Sequence, residues 1–169
     1  MKKKLAEYTI YKSADEFYKT VRTELNQKTF GKEFNLSGDY PDNGGINIYS
    51  TISFAVFKPN LGPLVKLNLN CVNTNQNGTQ SKLTLKRVNG ATYKVQFWFM
   101  MFFVALTLII ALYQIIIGND IGFEMLMLPL FGLIYILIIE LFSEFTISSL
   151  NKKVEKMLNS EKLKYKNCS

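Results

Sequence analysis

The sequence contains no histidine among its 169 residues. Because histidine is the commonest general base and metal ligand of proteins, its absence excludes Ser-His and Cys-His nucleophile arrangements. A Gly-rich phosphate loop, a Walker pattern and a dinucleotide fingerprint are also missing. These absences predict no cofactor and no enzymatic activity. One enzymatic alternative stays open, in which Glu140 and Glu144 share acid-base chemistry on one helix face, provided that their pKa values differ.

Cysteine is scarce as well, since Cys71 and Cys168 are the two present. They lie far apart in sequence, and we expect free thiols rather than a disulfide. Cys71 falls in the apolar phase of an alternating stretch, which predicts a small buried side chain. The turn sequence that begins at Asp39 superficially resembles a calcium loop. It lacks the alternating oxygen ligands and the late glutamate of such loops, so we predict no metal site.

Lysine and arginine are absent between Lys94 and Lys152. This region contains two apolar runs, at about 97–117 and 121–142, on either side of a polar turn at residues 118–120. Each run is close to the ~20 helical residues that cross a ~30 Å hydrocarbon layer. The pattern predicts a transmembrane hairpin over residues 93–144.

The distribution of charge predicts which way the hairpin faces. Residues 1–94 carry 14 Lys/Arg and residues 145–169 carry 6 Lys, whereas every charged residue from 95 to 144 is acidic. The positive-inside rule then places both termini in the cytoplasm of a multi-pass protein of the inner membrane. The start of the chain has a basic segment but no apolar core of a signal peptide. Six basic residues are expected to meet the anionic inner leaflet, each contributing ~1 kcal/mol: Lys86, Arg87, Lys94, Lys152, Lys153 and Lys156. No stacking-aromatic pattern accompanies the basic residues, so nucleic acid is not expected as a partner.

Residues 1–92 are predicted to form a cytoplasmic α+β domain. Ser13 and Glu16 fit a capping box at the start of a helix near residues 14–27, and Phe17, Val21 and Leu25 form its apolar stripe. Alternating and β-prone segments predict one antiparallel sheet of about five strands, with the helix over one face. The predicted strands cover residues 5–11, 33–40, 46–57, 65–71 and 81–87, with an Asn-Gly hairpin turn at 77–78.

Residues 145–169 are predicted to form a basic amphipathic helix and tail. Ile147, Leu150, Val154 and Met157 recur at alternating spacings of three and four, typical of one helix face. This stripe has three possible partners, namely the α+β domain, the bilayer surface and a second copy of the chain.

Three residues in the hairpin are candidates for function or for helix contact. Glu140 is ionisable within an apolar run and is either a residue facing cytoplasmic water or part of a pore, proton or helix-contact site. Gln114 lies near the other end and can either extend its amide to the membrane surface or bond a neighbouring helix. Pro129 is expected to kink the second span.

The segments YTIYKSADEFYKTV, INIYSTISF, LGPLVKLNL, NGT and FWFMMFF together resemble a group of small uncharacterised bacterial membrane proteins. These proteins have an N-terminal α+β domain followed by a two-helix membrane hairpin. The resemblance covers most of the chain. It implies this architecture and assigns no activity and no catalytic residue.

Two functions are compatible with these features. The first is a non-enzymatic, membrane-anchored binding or accessory protein that is oligomeric or belongs to a membrane complex. The alternative is an effector of bacterial defence or antagonism that senses a ligand and permeabilises the membrane.

Overall fold

The computed structural model describes residues 3–26, 34–41, 45–50, 62–75, 79–160 and 165–167. The chain divides into two compact units. We call Met1–Gly90 together with Thr146–Ser169 the sheet unit, and Ala91–Phe145 the helix pair. The sheet unit is therefore discontinuous in sequence, because the helix pair is inserted between its two parts.

The sheet unit contains an antiparallel sheet with the strand order β2-β3-β4-β5-β1-β6. The predicted antiparallel sheet of about five strands is confirmed, and β6 is a sixth strand that the sequence pattern did not indicate. Residues 51–57 of the predicted third strand and the turn at 77–78 lie outside the described residues. The strands are β1 (Lys3–Ile10), β2 (Leu36–Asp39), β3 (Ile46–Ser50), β4 (Val65–Asn73), β5 (Ser81–Asn89) and β6 (Tyr165–Asn167).

Helix α1 (Ala14–Asn26) begins where the capping pattern predicted. The Glu16 amide donates to the Ser13 Oγ at 3.2 Å, which satisfies one of the free N–H groups of the first turn. Phe17 and Val21 are buried in the core of the sheet unit. The predicted helix over the sheet is therefore confirmed.

The last part of helix α4 (Met127–Ser160) completes the same core. Three partners were considered for the apolar stripe of the tail. In the structure the stripe packs into the core of the sheet unit. Burial of such side chains stabilises by ~1.5–3 kcal/mol each, so five of them contribute roughly 7–15 kcal/mol as an upper bound. That sum is as large as the net stability of a typical domain, about 5–15 kcal/mol. The five buried side chains are Ile147, Leu150, Val154, Met157 and Leu158.

Hydrogen bonds from tyrosine side chains reinforce this core. The Tyr8 hydroxyl donates to Glu155 Oε1 at 2.7 Å and thereby ties β1 to the end of α4. The Tyr18 hydroxyl accepts from the Cys71 amide at 2.8 Å. Cys71 is buried, as its phase in the alternating pattern predicted, and burial raises the pKa of its thiol.

The helix pair consists of α2 (Ala91–Ile116), α3 (Ile121–Met125) and the first part of α4. Gly90 is the one residue between β5 and α2. A Cβ atom at Gly90 would lie 1.9 Å from the Pro63 carbonyl oxygen, so the position accepts only glycine without rearrangement. At the other end of the helix pair, α4 continues into the sheet unit without interruption.

Candidate functional site in the helix pair

Two helical segments of the described chain, Ala91–Ile116 and Ile121–Ser160, are long and apolar enough to cross a membrane. Most of each apolar window is exposed. Core helices of soluble proteins bury most of their apolar surface, and large exposed apolar patches on a protein mark contact with lipid or with another protein. The helix pair therefore has the surface of a membrane-associated segment.

Most side chains on the outward faces of the helix pair are apolar or aromatic within residues 95–117 and 127–142, all of which the structure describes, although Gln96 is half-exposed. Trp98 is 70% exposed and Ile116 is 82% exposed. Such faces suit acyl chains and offer few polar groups to a water-filled channel, among them the Tyr113 and Tyr135 hydroxyls. Other large exposed side chains of these faces are Phe99, Phe102, Ile109, Tyr113, Phe131, Leu133, Leu137, Leu141 and Phe142.

Several small and polar side chains of the helix pair are buried. Ala111 is fully buried, and a Cβ atom at Gly122 would lie 2.7 Å from the Ile115 amide nitrogen. The buried Thr107 and Ser143 hydroxyls donate to carbonyl oxygens one turn earlier in their own helices. The interface thus combines close backbone approach with satisfied hydroxyl groups, as in helix packing within membranes.

Glu140 makes a hydrogen bond across the helix pair. The Tyr93 hydroxyl donates to Glu140 Oε2 at 2.7 Å, and both side chains are half-buried. The Tyr93 ring stacks on Phe97, with ring centroids 5.9 Å apart. A phenol that donates to a carboxylate is a short, charge-assisted contact and lowers the cost of placing the carboxylate between apolar helices.

The sequence did not identify Tyr93 as the partner of Glu140. The spacing of the two residues about the turn is nevertheless a signal for this pairing. In a hairpin that turns near residue 119, positions 93 and 140 lie 26 and 21 residues from the turn. Antiparallel pairing about that turn places both positions toward the same end of the helix pair.

Gln114 and Pro129 lie close to the turn of the helix pair, at the end of α2 and at the start of α4. Gln114 Oε1 accepts from Asn119 Nδ2 at 3.0 Å, so the Gln114 side chain bonds the turn after α2 rather than a second helix. Pro129 is the third residue of α4, and the helical path is interrupted at Leu126. Proline lacks an N–H group, and in the first turn of a helix that group has no intrahelical partner. Pro129 therefore costs α4 no hydrogen bond of its own amide. The interruption of the helical path lies at Leu126, three residues before the expected kink at the proline.

The basic residues expected at the membrane surface lie in different environments. Lys94 of the helix pair is exposed, as are Lys152 and Lys156 of the sheet unit, and Lys86 is half-buried. Arg87 is only 7% exposed, and its Nε donates to Asn89 Oδ1 at 2.9 Å. The alternation of β5 explains this burial, because Arg87 shares the phase of the buried strand residues.

Lys153 belongs to a polar contact inside the sheet unit. Its Nζ donates to the Ser50 Oγ at 3.2 Å and to the Asn35 carbonyl oxygen at 3.5 Å. Partial burial lowers the pKa of Lys153, because removal from water disfavours the charged form. Lys153 therefore ties α4 to the region of β2 and β3.

The described part of the chain contains no cluster of three or more Cys, Asp or Glu side chains that could hold a metal ion. Comparison of the chain with protein-family models, curated proteins and solved structures gives no match.

Proposed function

We propose that this chain is a non-enzymatic, membrane-anchored binding or accessory protein of a bacterial inner membrane, and that it is oligomeric or part of a membrane complex. In this proposal the helix pair crosses the bilayer twice, and the sheet unit binds the partner on the cytoplasmic side. The bilayer itself, with its anionic inner leaflet, is the first partner.

The observation that carries the proposal is the division of side chains in the helix pair. The outward faces are predominantly apolar over residues 95–117 and 127–142, while the buried positions include Thr107 and Ser143. Lipid has no hydrogen-bonding groups in its hydrocarbon region, so a helix that faces lipid must satisfy its polar groups internally. The division supports lipid as the surrounding medium.

The discontinuous sheet unit supports an even number of crossings. Residues before Gly90 and residues after Thr146 share one hydrophobic core, and a shared core requires both parts on one side of a membrane. Two crossings by the helix pair satisfy this requirement. The exposed Lys94, Lys152 and Lys156 favour the cytoplasm as that side.

The short connections between the units support an anchoring role. One residue separates β5 from α2, and α4 has no connecting loop at all. A domain joined to its anchor by so short a connection would raise the local concentration of its binding surface for a membrane partner.

The permeabilising effector receives less support. A hydrated pore needs polar side chains on the faces that line it, and the outward faces of the helix pair carry few of them over the described residues 95–117 and 127–142. Glu140 and Gln114 are engaged with Tyr93 and Asn119. An effector mechanism would require the helix pair to open and rotate these groups outward.

Labelling of single cysteines in intact bacterial cells tests the orientation. In a chain with both natural cysteines replaced by serine, Asn119→Cys should react with a membrane-impermeant maleimide from outside. Ser160→Cys should react only after the cells are opened. Reaction of Ser160→Cys in intact cells would refute the cytoplasmic placement.

Purification in mild detergent with chemical crosslinking tests the accessory role. We expect an oligomer or a reproducible membrane-protein partner, with crosslinks from the sheet unit. A strictly monomeric particle with no partner in repeated preparations would count against the proposal. A membrane-potential dye distinguishes the effector role from the accessory role. Depolarisation of cells that express the parent chain, but not of cells that express the Glu140→Ala variant, would favour the effector.

A further inference from the structure

The sheet unit is built from two stretches of chain that the helix pair separates. Its N-terminal part ends at Gly90, and its C-terminal part begins at Thr146. The C-terminal part supplies five fully or almost fully buried apolar side chains and the strand β6. The core of the unit therefore remains incomplete until the whole helix pair has been synthesised.

The missing part touches the first strand as well as the core. Tyr8 of β1 is 1% exposed, its hydroxyl bonds Glu155, and its backbone pairs with Asn167 of β6. Without the C-terminal part, the Tyr8 hydroxyl would lose this acceptor, and the side of β1 opposite β5 would lose β6. An exposed strand edge beside an uncovered apolar face favours aggregation and proteolysis.

We infer that the sheet unit cannot complete its fold when only one of the two apolar helices has crossed the membrane, so that protease resistance of the unit distinguishes complete from half-finished insertion of the helix pair. This inference rests on the proposed membrane placement. A chain in which the first helix alone crosses would leave residues 147–158 on the opposite side from β1–β5. In a chain with two crossings, residues 147–158 lie on the same side as the sheet and can pack against it. The sheet unit then becomes resistant to protease.

Charge substitutions in the tail test the dependence of the core. We compare Leu150→Asp with Lys156→Asp in the full chain, since Leu150 is 1% exposed and Lys156 is exposed on the same helix. With an N-terminal tag as readout, Leu150→Asp should be cleaved by protease at least tenfold faster than the parent. Lys156→Asp should stay within twofold. Equal resistance of both variants would overturn the inference.

A second variant tests the dependence on crossing. Ile134→Arg with Ile138→Arg introduces two charges into α4 and opposes the second crossing, whereas Ile134→Ala with Ile138→Ala is the matched control. Molecules whose Cys168 reacts with an impermeant biotin maleimide from outside are captured, because their tails lie across the membrane. Their sheet units should be cleaved at least tenfold faster than those of uncaptured molecules.

The outcomes of this experiment distinguish the two ideas. Captured molecules with a protease-resistant sheet unit would overturn the inference and leave the membrane placement intact. Release of the parent chain from membranes by alkaline carbonate would instead refute the membrane placement. Captured molecules with a protease-sensitive unit, together with a resistant and uncaptured alanine control, would support the inference.

Discussion

Replacement of Gly132 by alanine is expected to loosen the helix pair. Gly132 is buried in α4, where it faces α2. A Cβ atom at this position would lie 2.4 Å from Val104 Cγ2 and 3.5 Å from Phe103 Cδ1. Carbon atoms in favourable contact are ~3.5–4.0 Å apart, so α4 or Val104 has to move by about 1 Å.

The expected size of the effect follows from two opposing contributions. Overpacking of a tight interface costs about 1–3 kcal/mol. Alanine favours the helix over glycine by about 1 kcal/mol, which offsets part of that cost. The net loss is therefore up to about 2 kcal/mol. Because the overpacking cost and the gain in helix propensity are similar in size, the net effect of Gly132→Ala alone is a weak test. The coupling energy between positions 132 and 104 is a stronger test, since helix propensity cancels in it.

Val104→Ala removes the methyl groups that a side chain at position 132 would meet. We expect the double variant to be more stable than the sum of the two single effects predicts, with a coupling energy of about 0.5–3 kcal/mol. Leu133→Ala is the control for helix propensity, since Leu133 is 52% exposed. Leu133→Ala with Val104→Ala should show no coupling.

Energy transfer from Trp98, the single tryptophan, can follow separation of the helices. The acceptor is a dye on Leu137→Cys, an exposed position of α4, in a chain that carries Cys71→Ser and Cys168→Ser. Titration of mild-detergent micelles with SDS then gives the free energy of separation for each variant. Zero coupling between positions 132 and 104 would refute the packing described for α2 and α4.

Three further predictions concern single contacts. Gly90→Ala should destabilise the sheet unit by more than ~1 kcal/mol, measured by urea unfolding, because its Cβ would overlap the Pro63 carbonyl oxygen; unchanged stability would contradict the close approach. Tyr93→Phe should weaken the helix pair by about 1–3 kcal/mol in the same energy-transfer assay, since Glu140 loses a donor, and no weakening would mean that water replaces it fully. Burial holds the pKa of Cys71 above its ordinary value of 9.0, so the unfolded chain loses this proton first and the free energy of unfolding should fall as pH rises above 9. Cys71→Ala should reduce that fall in alkaline urea titrations, and an unchanged pH dependence would contradict it.

The sequence predicted those parts of the sheet unit that depend on local patterns. Ser13 and Phe17 marked the start and the buried face of α1, and strict alternation marked β4 and β5. Such signals arise within about ten residues of chain, where side-chain periodicity follows directly from backbone geometry. Strand β6 gave no such signal, because it has three residues and exists by pairing with β1, far away in sequence.

The candidate residues of the helix pair show the same limit. Composition drew attention to Glu140 and Pro129, because a charge or a proline is rare in an apolar run. The importance of Gly132 depends on the residues that lie opposite it, Val104 and Phe103. The sequence around Gly132 contains no small-xxx-small motif that would have predicted this contact. The stripe of the tail was visible in the sequence, yet the choice among its three partners required the core of the sheet unit.

On the proposed membrane placement, the length of the helix pair has a consequence for the bilayer that surrounds it. The apolar run of residues 97–117 contains 21 positions. At 1.5 Å per residue it would extend about 32 Å as a helix, against an average hydrocarbon thickness of about 30 Å. Bilayers thicker than average would accommodate it upright, while thinner ones would impose tilt or local stretching of the lipids. Lipid chain length should therefore influence where in a cell's membranes this protein accumulates.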